Sequence, residues 1–99
     1  MRARSYCIGM AETKPILYVK EHCPWCAAAR DYFAEVGLEV EEREVRNNAA
    51  FMEELQRVSG QTYTPTLKYG DFMVKDFSVE EFQAAVDAAP DVKKELGLG

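Results

Sequence analysis

Cys23 and Cys26, separated by two residues in "HCPWC", are the side chains of this sequence best placed by type and spacing to do chemistry. In thiol-disulfide exchange a thiolate attacks a disulfide sulfur, and a second thiol resolves the mixed disulfide that results. A free cysteine, with a pKa of about 8.5, is mostly protonated near neutrality. The start of a helix corrects this, because its unpaired N–H groups and the positive end of its dipole stabilise an anion. Cys23, at or just before a first helical residue, is then the attacking nucleophile. Cys26, one turn further in and deeper, is the resolving thiol. Pro24 stiffens the turn, and Trp25 offers an apolar wall beside the reacting sulfur while its indole N–H faces water.

Other uses of the pair fit less well. A structural zinc site needs two more ligands, and only Cys7 and His22 remain, the latter awkwardly adjacent to Cys23. No metal is expected. Two inert core cysteines would leave the intervening Pro-Trp without a packing reason, and Cys7 reads as a bystander. His22 reads as a turn residue that tunes Cys23 by its partial charge, with a proton shuttle as the alternative. Lys20, three residues before Cys23, has two readings: its ammonium favours the thiolate or binds a substrate carboxylate, or it is simply solvated. The run Glu39, Glu41, Glu42 and Glu44 reads as a solvated face.

The elements that must position these residues follow from local signals. Ninety-nine residues, 47% hydrophobic and 29% charged, fit one domain around one core, with residues 1–15 as an extension ordered only in part. Ile16 to Val19 is apolar and β-branched at both ends, which suits a buried strand. Pro24 to Val36 reads as a helix, with Pro in its first turn and Gly37 as its stop. Glu39 to Val45 is a charged strand suited to a sheet edge or a partly solvated face. Asn47 or Asn48 caps a second helix with Phe51, Leu55 and Val58 on one face, ending at Gly60. Thr66 to Tyr69 and Phe72 to Val74, separated by "GD", form a hairpin. Ser78 and Glu81 make a capping box ahead of Val79, Phe82 and Val86 on a third helix. Pro90 ends that helix, and "DVKKELG" adds a final turn. The order β-α-β-α-β-β-α, with a right-handed crossover, predicts an α/β domain: a four-stranded mixed sheet with helices on both faces.

Composition limits the partners. A net charge of −5 argues against nucleic acid, whose binding needs clustered Lys and Arg. No apolar run approaches the roughly 18 residues that span a bilayer, and "MRARSYCIGM" lacks the hydrophobic stretch of a signal peptide. Arg2, Arg4 and Ser5 hint only faintly at a transit peptide. Three cysteines, an odd number, do not make a secreted disulfide framework. A cytoplasmic location without membrane or nucleic-acid partners is the expectation.

The β-α-β-α-β-β-α order is the thioredoxin-like arrangement, and from about Ile16 to Ala88 the chain resembles the glutaredoxins. "KEHCPWC" carries the resemblance most specifically: a lysine three residues ahead of Cys-Pro-aromatic-Cys is the dithiol signature of that family. Thioredoxins instead place a Trp before the first Cys and Gly-Pro between the two. "QTYTP" is similar to the family's Thr-Val-Pro segment. The resemblance implies a cis Pro65 facing the Cys23 loop, and a Thr64 whose backbone N–H and C=O receive substrate as a short added strand. It also implies that Gln61 contacts the glycine carboxylate of glutathione, while Tyr63 departs from the pattern but still lines the groove beside Trp25.

The third feature, the capped third helix in "MVKDFSVEE", departs further. The family's Gly-Gly is replaced near Val74 and Lys75, and Ser78 stands at the usual Asp position. N–H groups of Phe77 and Ser78 are then expected to hold the γ-glutamyl carboxylate, and Asp76 the ammonium. The resemblance implies a monomeric, glutathione-dependent thiol-disulfide oxidoreductase. It would reduce glutathionylated or disulfide-containing proteins, with glutathione as reducing co-substrate and no tightly bound cofactor. Two alternatives share these residues: a thioredoxin-like donor recharged by a flavoprotein reductase, and an iron-sulfur carrier in which Cys23 and glutathione hold a cluster between two chains.

Overall fold

A computed structural model describes residues 14–98 of the chain. Cys7 and most of the expected N-terminal extension lie outside the described residues. The first strand, β1 (Ile16–Val19), explains the layering. Its side chains alternate between two cores: Leu17 and Val19 enter one, and Tyr18, with Ile16 packed beside it, enters the other. A strand apolar on both faces belongs in the middle of a sheet. β1 pairs in parallel with β2 (Glu41–Glu44) on one side and antiparallel with β3 (Thr66–Tyr69) on the other. β4 (Phe72–Val74) completes the order β2-β1-β3-β4, with Leu17 opposite Leu67 and Leu67 opposite Val74.

Helix α1 (Pro24–Val36) buries Cys26, Ala29 and Phe33, spaced three and four apart as one face of a helix requires. Gly37, at φ 76°, closes it in the left-handed conformation, its N–H and that of Leu38 reaching the last carbonyls. On the same side of the sheet, α3 (Val79–Asp87) contributes Phe82 and Val86. The Phe33 and Phe82 rings meet edge to face, with centroids 5.0 Å apart. Helix α2 (Ala49–Ser59) covers the opposite face, burying Leu55 against Tyr18 and Val45. The result is a three-layer α/β fold. No helix among the described residues is long and apolar enough to cross a membrane.

Three expectations need correcting. The second strand is shorter than expected: Glu39 and Val40 precede it, and Val45, past its end, turns into the second core. Pro90 does not terminate the third helix, which ends at Asp87 with Ala88 as its cap. Pro90 instead opens α4 (Pro90–Glu95) at the first position, where a missing N–H removes no hydrogen bond. The acidic run is also more engaged than a solvated face. Glu42 pairs with Arg30 at 2.8 Å, Glu41 pairs with Arg43 at 2.7 Å, and Arg43 also bonds Glu54. Glu54 in turn accepts the Tyr18 hydroxyl, and burial together with that carboxylate pushes the phenol's pKa up. The edge strand is thereby fastened to α2.

Candidate active site

The site begins where β1 leaves the sheet. His22 adopts φ 60°, turning the chain so that Cys23, at φ −106° and ψ 111°, becomes the N-cap of α1. Glu44 holds this turn from the end of β2: its carboxylate accepts the N–H of Glu21 at 2.9 Å, together with those of Arg46 and Asn47. Cys23 Sγ accepts the Cys26 N–H at 3.3 Å and lies 3.9 Å from Thr64 Oγ1. Cys23 is partly exposed, whereas Cys26 is fully buried.

Those surroundings split the two thiols. Burial pushes the Cys23 thiol up, but hydrogen bonds from the Cys26 thiol and N–H, the Thr64 hydroxyl and the Trp25 N–H outweigh it and bring its pKa below the ordinary value. Burial raises Cys26, and its hydrogen bond to Cys23 raises it further. The outer sulfur therefore carries charge first and the inner one keeps its proton. Lys20 ends half-buried beyond β1, and its backbone hydrogen-bonds the Cys26 thiol, a lowering influence that burial outweighs.

Opposite Cys23 stands the loop before β3. The Thr64-Pro65 peptide is cis, and both residues are buried. Among the described residues, the backbone N–H and C=O of Thr64 have no backbone partner. The Pro65 carbonyl accepts the N–H of Phe77 at 3.1 Å, joining this loop to the approach to α3. Beneath it the fully buried Thr66 hydroxyl donates to the Tyr63 carbonyl at 2.9 Å and accepts from Gln61 Nε2 at 3.2 Å and the Asp76 N–H at 3.3 Å.

This network changes the reading of several residues. Gln61 does not present its amide to a groove: Nε2 donates to Ser59 Oγ and Thr66 Oγ1, and Oε1 accepts the Tyr63 N–H. Both amide hydrogens are used internally, so Gln61 braces the loop. Phe77 is a core residue, 2% exposed, and its N–H is taken by Pro65. The Ser78 N–H donates at 2.8 Å to Glu81 Oε1, while Ser78 Oγ accepts the Glu81 N–H, completing the capping box. Neither Phe77 nor Ser78 thus holds a free N–H for a ligand carboxylate. Asp76, exposed at φ 49°, joins Trp25, Phe77, Ser78 and Glu81 around a hollow of about 190 Å³. Trp25 and Tyr63 are 62% and 61% exposed, available as walls. Among the described residues, no group of three or more His, Cys, Asp and Glu side chains is placed to share a metal ion.

Sequence reasoning missed the roles of Thr66 and Glu44, whereas the capping box marks the inward reach of Glu81. Nothing local marks Thr66, whose partners come from two different loops.

A mixed four-stranded sheet between helices, with paired thiols at a helix start facing a cis-proline, defines a thioredoxin-like dithiol protein. The glutaredoxin family model matches residues 16–74, over half of the sequence, and the chain belongs to the glutaredoxin family. Glutaredoxin 3 of Escherichia coli (strain K12) is 35% identical over 51 residues, 52% of this chain and 61% of that one. The chain thus spans less than two thirds of the curated relatives it matches. The solution structure of glutaredoxin from Brucella melitensis is 25% identical, with a TM-score of 0.62 over 88% of this chain and 91% of its own. A buckwheat glutaredoxin-glutathione complex superposes with a TM-score of 0.67 at 20% identity, over 88% of this chain and 82% of that one, a likeness of fold.

Proposed function

We propose that the chain is a dithiol oxidoreductase that reduces glutathione mixed disulfides and protein disulfides, with glutathione as reducing co-substrate. The observation that carries this reading is the division between Cys23, a partly exposed N-cap thiol with a lowered pKa, and Cys26, a buried thiol with a raised one. The Cys23 thiolate attacks a substrate sulfur, forming a mixed disulfide and expelling one substrate thiolate. Cys26 attacks Cys23 and its proton passes to the departing sulfur, which leaves as a thiol, and a Cys23–Cys26 disulfide remains. Two glutathione thiols then return two electrons: the first forms a mixed disulfide at Cys23 and frees Cys26, and the second departs as oxidised glutathione.

In this reading the unpaired backbone of Thr64 aligns glutathione as a short added strand beside Pro65. Asp76 accepts its ammonium, Trp25 and Tyr63 wall the groove, and Gln61 supports it from beneath. Lys20 is left as the candidate for a substrate carboxylate. The glutathione bound to the buckwheat protein supports the choice of co-substrate. The test is a coupled assay with reduced glutathione, glutathione reductase and a small glutathionylated disulfide. Turnover is expected, abolished in Cys23→Ser and largely kept in Cys26→Ser, because release of a glutathionyl group needs only the first thiol. Equal loss in both variants would refute the assignment. The occupied N–H groups of Phe77 and Ser78 favour, as a second reading, a donor recharged by a flavoprotein reductase. Turnover with thioredoxin reductase and none with glutathione would establish that alternative.

A further inference from the structure

We infer that Glu81 is a specificity-determining residue, which makes the hollow beside Trp25 favour a disulfide substrate flanked by a lysine or arginine over one flanked by an acidic residue. The inference rests on the oxidoreductase reading above and names its preferred class of protein substrate.

Three observations carry it. First, the start of α3 would ordinarily attract an anion, but Glu81 closes it from within: its carboxylate takes the Ser78 N–H at 2.8 Å, and Pro65 takes the preceding N–H of Phe77. An incoming carboxylate finds the Phe77 and Ser78 donors already taken and meets the negative charge of Glu81 itself. Second, the charged side chains lining the hollow are Asp76 and Glu81, both acidic and exposed, while Lys20 and Lys75 lie outside the lining. Third, the hollow's remaining wall is Trp25, two residues from the attacking sulfur and 62% exposed, whose ring face suits a cation as well as an apolar stem.

Size and position select the occupant. At about 190 Å³ the hollow is smaller than the roughly 300–1,000 Å³ of a typical small-ligand cleft and suits a single side chain. Its link to the active site is structural: Trp25 lies within the Cys23–Cys26 segment, and Phe77 is hydrogen-bonded to cis-Pro65. A substrate chain lying along Thr64 with its disulfide at Cys23 brings a neighbouring residue to this hollow. A Lys or Arg there stacks its stem on Trp25 and sets its charge between Asp76 and Glu81. Glutathione is accommodated through its ammonium, with the Phe77 and Ser78 donors unavailable to its γ-glutamyl carboxylate.

The test uses the full chain, fully reduced, and three symmetric peptide disulfides whose cysteine is flanked by Arg, Ala or Glu. Single-turnover formation of the Cys23–Cys26 disulfide is followed without glutathione, and each rate is divided by the rate at which dithiothreitol reduces the same peptide. That normalisation removes the peptides' intrinsic reactivity. The Arg peptide is expected to exceed the Glu peptide by about threefold to thirtyfold, the combined scale of one exposed ion pair and one cation–π contact. Glu81→Gln keeps an oxygen for the Ser78 N–H and removes only the charge, and is expected to lower the Arg-to-Glu ratio about threefold. Glu53→Gln, an exposed change on α2 across the sheet, alters net charge equally and is expected to leave the ratio unchanged. An unchanged ratio in Glu81→Gln, or an equal fall in Glu53→Gln, overturns the inference and leaves the oxidoreductase reading intact. Failure of all three peptides to oxidise the protein overturns both.

Discussion

Replacing Thr66 with Val removes a single hydroxyl while keeping the shape of a side chain that is 0% exposed. The lost atom serves three partners: it donates to the Tyr63 carbonyl and accepts from Gln61 Nε2 and from the Asp76 N–H. Each polar group left unpaired in the interior costs about 1–3 kcal/mol. Gln61 is half-buried, and Tyr63 and Asp76 belong to exposed residues, so water recovers part of that loss. A net destabilisation of about 2–3 kcal/mol is expected, or about 10–20 °C in melting temperature for a domain of this size. Both loops of the site hang from this hydroxyl, one carrying Thr64 and Pro65 and the other Asp76. The rate of disulfide reduction should therefore fall at temperatures where the variant is still folded. Urea unfolding of the reduced wild type, Thr66→Val and Thr66→Ser measures the effect, with Thr66→Ser expected to lie much nearer the wild type because it keeps the hydroxyl. A Thr66→Val protein within about 0.5 kcal/mol of wild type, below the usual worth of one hydrogen bond, would refute the network's importance. Equal destabilisation by Val and Ser would assign the effect to methyl packing instead.

Alkylation of Cys23 should reach half its limiting rate at a lower pH than an ordinary thiol does, while Cys26 in the same protein resists alkylation. Because the folded state lowers the Cys23 pKa, the thiolate stabilises the reduced fold fully above the ordinary thiol value and loses the effect as pH falls through the folded pKa. The stability difference between wild type and Cys23→Ser should therefore widen as pH rises toward the ordinary thiol pKa, and a flat difference would contradict the electrostatics at the N-cap. Ser78→Ala removes the capping box and should cost about 1 kcal/mol in thermal or urea unfolding. Asp76→Asn should raise the glutathione concentration needed for half-maximal turnover more than Ser78→Ala does, and unchanged saturation in both would remove this segment from the glutathione groove.

The sequence by itself determined the parts of this protein whose chemistry is local. Pro24 at a first helical turn, Gly37 and Gly60 as stops, Asn47 or Asn48 and Ser78 as caps, and the "GD" turn each act within a few residues, so the helices and the hairpin were legible from spacing alone, with the fold selecting Asn48. The same locality placed Cys23 at a helix start and made it the outer thiol. Pro90 misled because proline at a first helical turn and proline after a last one look alike without the neighbouring backbone. Tertiary structure decided what depends on distant partners. Cys23 meets Thr64 across 41 positions of sequence, and which side chains lie near its sulfur is set by how the β1 and β3 ends pack. Gln61 read as a substrate contact through its match to the polar position of the family that lies upstream of the proline. The folded chain spends its amide donors on Ser59 and Thr66, partners that packing alone brings within reach. The N–H of Phe77 likewise stood open in the sequence and is filled in the fold by Pro65, because a buried donor takes the nearest acceptor that packing supplies, whereas the Ser78 N–H belongs to Glu81 through the locally legible capping box.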